Sequence, residues 1–444
     1  MIRKHFQCIL IWFFDATMSA NRNYGRVSKH ESFPDIHRLK IRAFGLGIDF
    51  MSVILPAMTV ISTVFIVWHF AIWPVLIKRL ARSKDPVIVP TLTAELLPTL
   101  ALIVPAHNEE RWIAEKIANI ATLDYPADRL RLVLALDGCS DQTRVRAEAA
   151  LEAPEAAHLR AEIVESQVNV GKLETLNRHI REAEEDIIAV SDTSGILSLD
   201  GLVLAAAHFD DQKLGAVGGT YTIFHAGEGS EADFWSAQTA VKKAEAAFAA
   251  PIGLHGAFYA FRREFFVELR PDTINDDFTL PMGLIERGYD VAYDPTILAV
   301  EMEASSSQMD FSRRRRIGAG NMQQLLRHWR LFSPSRPSIA IAFASGKGLR
   351  PLIPLALIAA LFGSLSLASG SWLFALGAAG QLAGYAAAGA VALLPNVPWP
   401  NAMRTLQYIV AAQFASGVGG VEYLMGRYRG AWARVDNSMR PARG

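Results

Sequence analysis

The sequence predicts an α/β domain held between membrane-spanning helices. Three observations predict it: charge-free apolar runs near both ends, short apolar runs alternating with amphipathic helices between them, and polar residues gathered where the predicted strands end. The 444-residue chain has a formal net charge of zero, so no global field recruits nucleic acid, and none is expected as a partner. Its hydrophobic fraction, 51 %, is slightly above that of soluble proteins, and the excess sits in the apolar runs.

Residues 51–77, "MSVILPAMTVISTVFIVWHFAIWPVLI", contain no Asp, Glu, Lys or Arg and as a helix would cross roughly 30 Å of hydrocarbon. Residues 351–395 are equally free of those charges and long enough for two spans, broken near Gly370. Residues 405–426 carry Glu422 and the small-residue run "ASGVGGVEY", and fit a third span or a buried globular helix equally well. The expected organisation is a transmembrane helix over 49–78, a domain over 98–335, an interfacial helix over 336–350, two to three spans within 351–426, and a basic tail over 427–444. The N-terminus, "MIRKHFQCILIWFFDATMSA", has the basic start and apolar core of a secretory signal, yet Asp15 interrupts it. Residues 1–48 are expected to be disordered or to follow a mis-assigned start. Cys8 and Cys139 offer neither a disulfide framework nor metal-ligand spacing.

Charge placement sets the expected topology. Lys78, Arg79, Arg82 and Lys84 follow the first span, and Lys347 and Arg350 precede the second. The positive-inside rule then puts residues 85–350 in the cytoplasm. Three C-terminal crossings would leave Arg427, Arg429 and Arg434 outside, so one apolar segment is expected to be re-entrant or interfacial.

Within the domain, "LALIVPA" (100–106) fits a buried parallel strand, followed by "ERWIAEKIANIAT" at helical spacing. Strand and helix then alternate through "RLRLVLALDG" (129–138), "DQTRVRAEAALEA" (141–153), "AEIVESQ", "KLETLNRHIREA" and "DIIAVSD" (186–192). This order predicts an open parallel sheet with helices on both faces. Ligands of such sheets collect at the carboxyl ends of the strands, where this chain places "HNEE", "DGCSDQT" and "SDTSG". The first turn, "PAHNEE", has no glycine and so no dinucleotide fingerprint; "GKLET" lacks the upstream glycine and following Ser or Thr of a P-loop.

Seven motifs in order, "VPAHNEE", "ALDGCSDQT", "NVGKLETLN", "VSDTSG", "GLHGAFYAFRRE", "TINDDFTL" and "RRRRIGAGN", resemble the membrane-embedded family 2 glycosyltransferases. Cellulose, chitin and hyaluronan synthases and bacterial exopolysaccharide enzymes belong to that family. The resemblance covers about residues 98–350 and extends to the flanking spans. It implies a GT-A type, Rossmann-like mixed sheet that binds a nucleotide sugar, with transmembrane helices at both ends. It further implies inverting transfer from a UDP-sugar to a glycan or lipid-linked acceptor, at a bacterial inner membrane with the domain in the cytoplasm.

Site residues follow from the same resemblance. Asp137 matches the nucleobase and ribose contact, with Asn108 and Glu109 beside it; the competing role is a turn or cap ahead of "CSDQT", for which Asp141 is the candidate. Asp192 would bind Mg²⁺ or Mn²⁺ on the diphosphate. The family's D-x-D, however, is here Asp192-Thr193-Ser194, which lacks the second carboxylate. Asp277 matches the general base, eleven residues before Gly288, with Asp276 where Glu is usual. Helix capping by Asn275 or Asp276 is compatible with that role, and Pro281 fits an early helical position. "RRRRIGAGN" lies where synthases carry Q-x-x-R-W: Arg313 replaces Gln, Arg316 matches the diphosphate-binding Arg, and Ile317 replaces the Trp that stacks on an acceptor sugar. Arg313 to Arg315 fit lipid headgroups equally well. His255 and Gly256 are expected near the acceptor, although a lone His is more often structural, and Lys172 near the donor or at a solvated helix start. A non-catalytic scaffold with a degenerate sugar-nucleotide domain is the alternative, motivated by the missing carboxylate.

Overall fold

The computed structural model describes residues 50–81, 96–224, 230–302 and 307–428. The 1–48 segment, most of the linker before the first strand and the tail from residue 429 lie outside the described residues.

The first long helix comprises α1 (Leu55–Val67) and α2 (Trp73–Ala81), joined by a π-helical turn at Trp68–Ile72. Along α1, Met58, Ile61 and Val64 are exposed, an apolar surface suited to lipid. Along α2, Trp73 and Ile77 are buried in the core of the α/β domain, so one rod belongs to both environments.

Four strands build the parallel half of the sheet: β1 (Leu100–Ala106), β2 (Leu130–Asp137), β3 (Arg160–Ser166) and β4 (Ile187–Val190). They lie in the order 3-2-1-4, connected through α3 (Ile113–Ala121), α4 (Thr143–Leu151) and α5 (Lys172–Glu182). β1 is buried throughout because helices cover both faces, which explains its unbroken apolar run. It sends Leu102 and Val104 into one core layer and Ala101 and Ile103 into the other.

The second half departs from the expected parallel order. After β5 (Gly195–Leu197) and α6 (Gly201–Ala207) come β6 (Leu214–Ile223), α7 (Ser230–Phe248), β7 (Tyr259–Arg262), α8 (Asp276–Arg287) and β8 (Asp290–Glu301). β7 runs antiparallel between β4 and β6, β6 pairs parallel with β8, and β5 closes the edge antiparallel to β8. The eight-stranded sheet is therefore mixed. At three and four residues, β5 and β7 are too short to carry a periodic signal.

α9 (Ser307–Arg327) leads to α10 (Pro337–Phe343), α11 (Ile353–Leu367), α12 (Trp372–Leu393) and α13 (Asn401–Leu424). Among the described residues, Ser52–Ala81, Pro337–Leu367 and Trp372–Leu393 are long and apolar enough to cross a membrane. α13 lies along α9 in backbone contact: a Cβ on Gly419 would sit 1.9 Å from the Arg315 carbonyl oxygen, and one on Gly318 2.3 Å from that of Ser416. Small residues permit this approach, as the run "ASGVGGVEY" suggests. Gly363 of α11 meets Thr59 of α1 in the same manner.

Candidate active site

The polar groups at the ends of β1 and β2 hold loops together. Both carboxylate oxygens of buried Asp137 accept backbone N–H groups, from Val170 and Gly171, each at 2.7 Å. Gly138, at φ 59°, packs so closely on the same loop that a Cβ would lie 2.3 Å from the Asn169 nitrogen. Asn108 takes a left-handed conformation (φ 56°), which Asn tolerates, and its side-chain oxygen accepts the Ser140 N–H at 2.8 Å. The Glu109 N–H donates to the Thr143 hydroxyl at 2.7 Å. Asp141 accepts from the Thr143 N–H at 3.0 Å, an Asx-type turn at the start of α4.

Gly171, at φ 94°, turns the chain into α5 and makes Lys172 its first residue. The Lys172 ammonium lies 2.7 Å from Asp192 Oδ1 and 3.8 Å from Asp276 Oδ2, bridging the end of β4 to the start of α8. Gly256 closes over this pair: a Cβ there would be 3.2 Å from Asp192 Oδ2 and 3.6 Å from Lys172 Nζ. Burial opposes the charge on Lys172, but Asp192 and Asp276, with Asp277 behind them, outweigh it and raise its pKa.

α8 explains the spacing around the two aspartates. Asp276 and Asp277 occupy its first turn, favoured by the dipole, and Gly288 ends it in a left-handed C-cap (φ 105°). The eleven-residue interval is therefore the length of one helix. Asn275 precedes it without a side-chain cap bond. Pro281 lies inside the helix, beyond the early position expected of it. It has no N–H for the Asp277 carbonyl four residues back, and that carbonyl instead accepts the Leu254 N–H at 2.9 Å. The missing helical bond thus ties Asp277 to the loop that carries His255 and Gly256. Asp276 accepts the Tyr259 hydroxyl at 2.8 Å. Burial, then the neighbouring Asp276 charge, raise the pKa of Asp277, against the pull of Lys347, Lys172 and Lys242.

Three cations here were not among the expected site residues. Lys242 of α7 donates to the Leu254 carbonyl at 3.1 Å. Lys347, whose expected role was to set topology, stands 5.5 Å above the Phe278 ring. Lys116 of α3 is fully buried beneath Asp192, donating to the Ser191 hydroxyl at 2.6 Å and to the Gly195 carbonyl. Burial pushes its pKa down to about 7, opposed by Asp192 and Glu301. The signal was present in "IAEKIANIA", where Lys116 occupies the buried stripe with Ile113, Ile117 and Ile120.

His255 stacks on Tyr221, centroids 3.8 Å apart. Burial first, then Lys242, Arg313 and the other nearby cations, lower its pKa well below the usual value, so it is neutral. Arg313 faces Tyr221, Glu301 and Asp192. The expectation for Arg316 needs correction. It is exposed, and the charge partner it acts on is Tyr428. Residues three apart are neighbours on a helix surface, so the difference lies in what packs on each side chain: Arg313 is half-buried and Arg316 is exposed. Arg314 stacks over Tyr408 at 3.9 Å and Arg315 pairs with Glu422 at 2.5 Å, so these two hold α13. Ile317 is half-buried.

The expected divalent cation meets a poor donor set. Asp192 supplies one carboxylate, with Oδ1 already on the Lys172 ammonium, and Ser194 supplies a hydroxyl where a second carboxylate would stand. Among the described residues no group of three or more His, Cys, Asp or Glu side chains is arranged to hold a metal ion. These residues do not fit a protein-built site for Mg²⁺ or Mn²⁺.

The sequence profile described as glycosyltransferase like family 2 matches residues 98–320, half of the chain. The probable glycosyltransferase YdaM of Bacillus subtilis is 26 % identical over 248 residues, 52 % of this chain and 57 % of that protein. The poly-beta-1,6-N-acetyl-D-glucosamine synthase of Staphylococcus aureus is 25 % identical over 246 residues, 54 % of this chain and 58 % of that protein. The chain thus spans somewhat over half the length of these curated relatives. Among solved structures, the mannosyltransferase PcManGT from Pyrobaculum calidifontis, in complex with GDP-Man and Mn²⁺, is similar with a TM-score of 0.63 and 25 % identity, over 84 % of this chain and 100 % of that one. With its mixed sheet of GT-A type and the profile match over residues 98–320, the chain belongs to glycosyltransferase family 2.

Proposed function

We propose that this glycosyltransferase moves a hexose or N-acetylhexosamine from a UDP-sugar to a hydroxyl of a glycan or lipid-linked acceptor, inverting the anomeric carbon. The observation that carries the proposal is the carboxylate pair opening α8, which meets Asp192 across the Lys172 ammonium. Asp277 takes the proton as the acceptor O–H bond breaks. The acceptor oxygen bonds to the anomeric carbon while the bond from that carbon to the diphosphate oxygen breaks, and the nucleoside diphosphate leaves with the electron pair. Burial makes Asp277 a stronger base than a free aspartate, and the surrounding lysines favour its ionised form. Asp137, Asn108 and Glu109 shape the nucleoside end of the cleft and His255 and Gly256 its acceptor side, with Arg313 between them, in reach of Asp192.

The catalytic domain works on the cytoplasmic face of a membrane that the apolar helices cross. Ile317 offers no aromatic platform for an acceptor sugar, which favours transfer of a single sugar to a lipid-linked acceptor over processive polymerisation. The scaffold alternative rests on Ser194. Membranes holding the protein, incubated with radiolabelled UDP-sugars and GDP-mannose and then separated into lipid-soluble and polymeric fractions, test the proposal. Label is expected in the lipid fraction from a UDP-sugar. Absence of any transfer, or turnover by Asp277→Asn at the wild-type rate, would overturn it.

A further inference from the structure

Resting on the glycosyltransferase proposal, we infer that this chain neutralises the leaving nucleoside diphosphate with its own side chains, Lys172 and Arg313, and does not depend on a divalent cation. The geometry around Asp192 carries the inference. A cation held by Asp192 is drawn toward the second carboxylate, Asp276, and so to the space between the two. Lys172 already stands there, 2.7 Å from one carboxylate and 3.8 Å from the other. Its side chain is 17 % exposed, so solvent does little to screen repulsion between the ammonium and a dication. The Gly256 loop borders the same pair: a Cβ on Gly256 would lie 3.2 Å from the remaining Asp192 oxygen and 3.6 Å from Lys172 Nζ.

Charge balance points the same way. Metal ions that serve nucleotide phosphates are held by one or two carboxylates plus the phosphates themselves. Here Ser194 is neutral, so Asp192 is the single carboxylate of its motif. Around it stand Lys172 at contact distance, Arg313 within its electrostatic reach, and Lys116 beneath, bonded to the adjoining Ser191 and Gly195. A dication added to this group would find the single carboxylate of the motif, Asp192, already paired with Lys172, which also holds Asp276 on its far side. A diphosphate added to it would find a point charge in Lys172 and a fork of donors in Arg313, two complementary ways of holding phosphate oxygens. As the bond to the anomeric carbon breaks, the charge gathering on the diphosphate meets cations that need no reorganisation. In the Pyrobaculum calidifontis mannosyltransferase complex Mn²⁺ accompanies the donor; this chain departs from that arrangement.

The test is calorimetric titration of the full-length protein in nanodiscs with UDP and GDP, in EDTA and again with Mn²⁺, alongside the electron paramagnetic resonance of bound Mn²⁺. Expected is binding of one nucleotide in EDTA within about threefold of its affinity with Mn²⁺, and no stoichiometric Mn²⁺ on the nucleotide complex. Lys172→Ala should weaken metal-free binding by about tenfold or more, while Lys172→Arg, which keeps the charge, should retain most of it. The double variant Lys172→Ala with Ser194→Asp should gain nucleotide-dependent Mn²⁺ binding. Wild-type affinity that falls more than about thirtyfold in EDTA, or one tightly held Mn²⁺ per wild-type nucleotide complex, would overturn the inference and leave the glycosyltransferase proposal standing. Failure of both nucleotides to bind with or without Mn²⁺ would overturn the donor assignment and the inference together.

Discussion

The two halves of the sheet use their polar residues in opposite ways. In the parallel half, the side chains of Asp137, Asn108 and Asp141 accept backbone N–H groups of neighbouring loops. Where the parallel half meets the mixed half, half-buried charge is set against charge. Lys172 bridges Asp192 and Asp276, and Lys242 and Lys347 act on Asp277. The regular half fixes the loops at its strand ends, while the junction with the mixed half supplies groups whose protonation and charge can take part in chemistry. Neutral backbone donors fix geometry without leaving a reactive charge. Buried, mutually opposed charges hold pKa values away from their ordinary range, as catalysis requires.

The sharpest way to break this comparison is Asp277→Asn. It should lower the transfer rate by about 10²–10⁴ while nucleotide affinity stays close to wild type. Asp137→Ala should act differently. It removes the acceptor of two part-buried N–H groups, costing about 0.5–1.5 kcal/mol each, so the melting temperature should fall and the donor KM rise. A rate loss at saturating donor equal to that of Asp277→Asn would erase the distinction between the halves.

A pH profile sharpens the same point. Asp277 must be ionised to accept a proton, and burial with the Asp276 charge raises its pKa. The acid limb of kcat/KM should therefore lie above the ordinary aspartate value of about 3.9. Asp276→Asn removes the like charge, favours ionisation of Asp277, and should move that limb to lower pH. An unmoved limb would mean that another group sets it. The smallest effects separate the arginines: Arg313→Ala should raise the donor KM by about tenfold, whereas Arg316→Ala should stay within about twofold. Equal effects would show that exposure of Arg316 does not keep it from the cleft.

Much of the parallel half was legible because its signals are local. Apolar runs with amphipathic helices between them gave the strands up to β4, and the interval from Asp277 to Gly288 turned out to be one helix closed by a left-handed glycine. The rest was not legible. β5 and β7 are too short for periodicity, and the antiparallel insertion of β7 beside β4 joins segments far apart in the chain. Lys347 offered only its charge and its nearness to an apolar run, which are also the marks of a topology-setting residue. Pro281 was legible as a helix residue, but not as the reason the Asp277 carbonyl reaches Leu254.

The sequence by itself determined the chemistry on offer: carboxylates at strand ends, a serine in place of the second D-x-D carboxylate, an isoleucine in place of the stacking tryptophan, and apolar helices at both ends. Residue identity and short-range spacing carry that information directly. Tertiary structure alone decided which charges meet. It set Lys172 between Asp192 and Asp276, brought Lys242 and Lys347 to Asp277 from separate elements, and set Arg313 within reach of Asp192 while leaving Arg316 exposed. Electrostatic coupling depends on distance and burial in space, and neither is written in the local pattern of a chain.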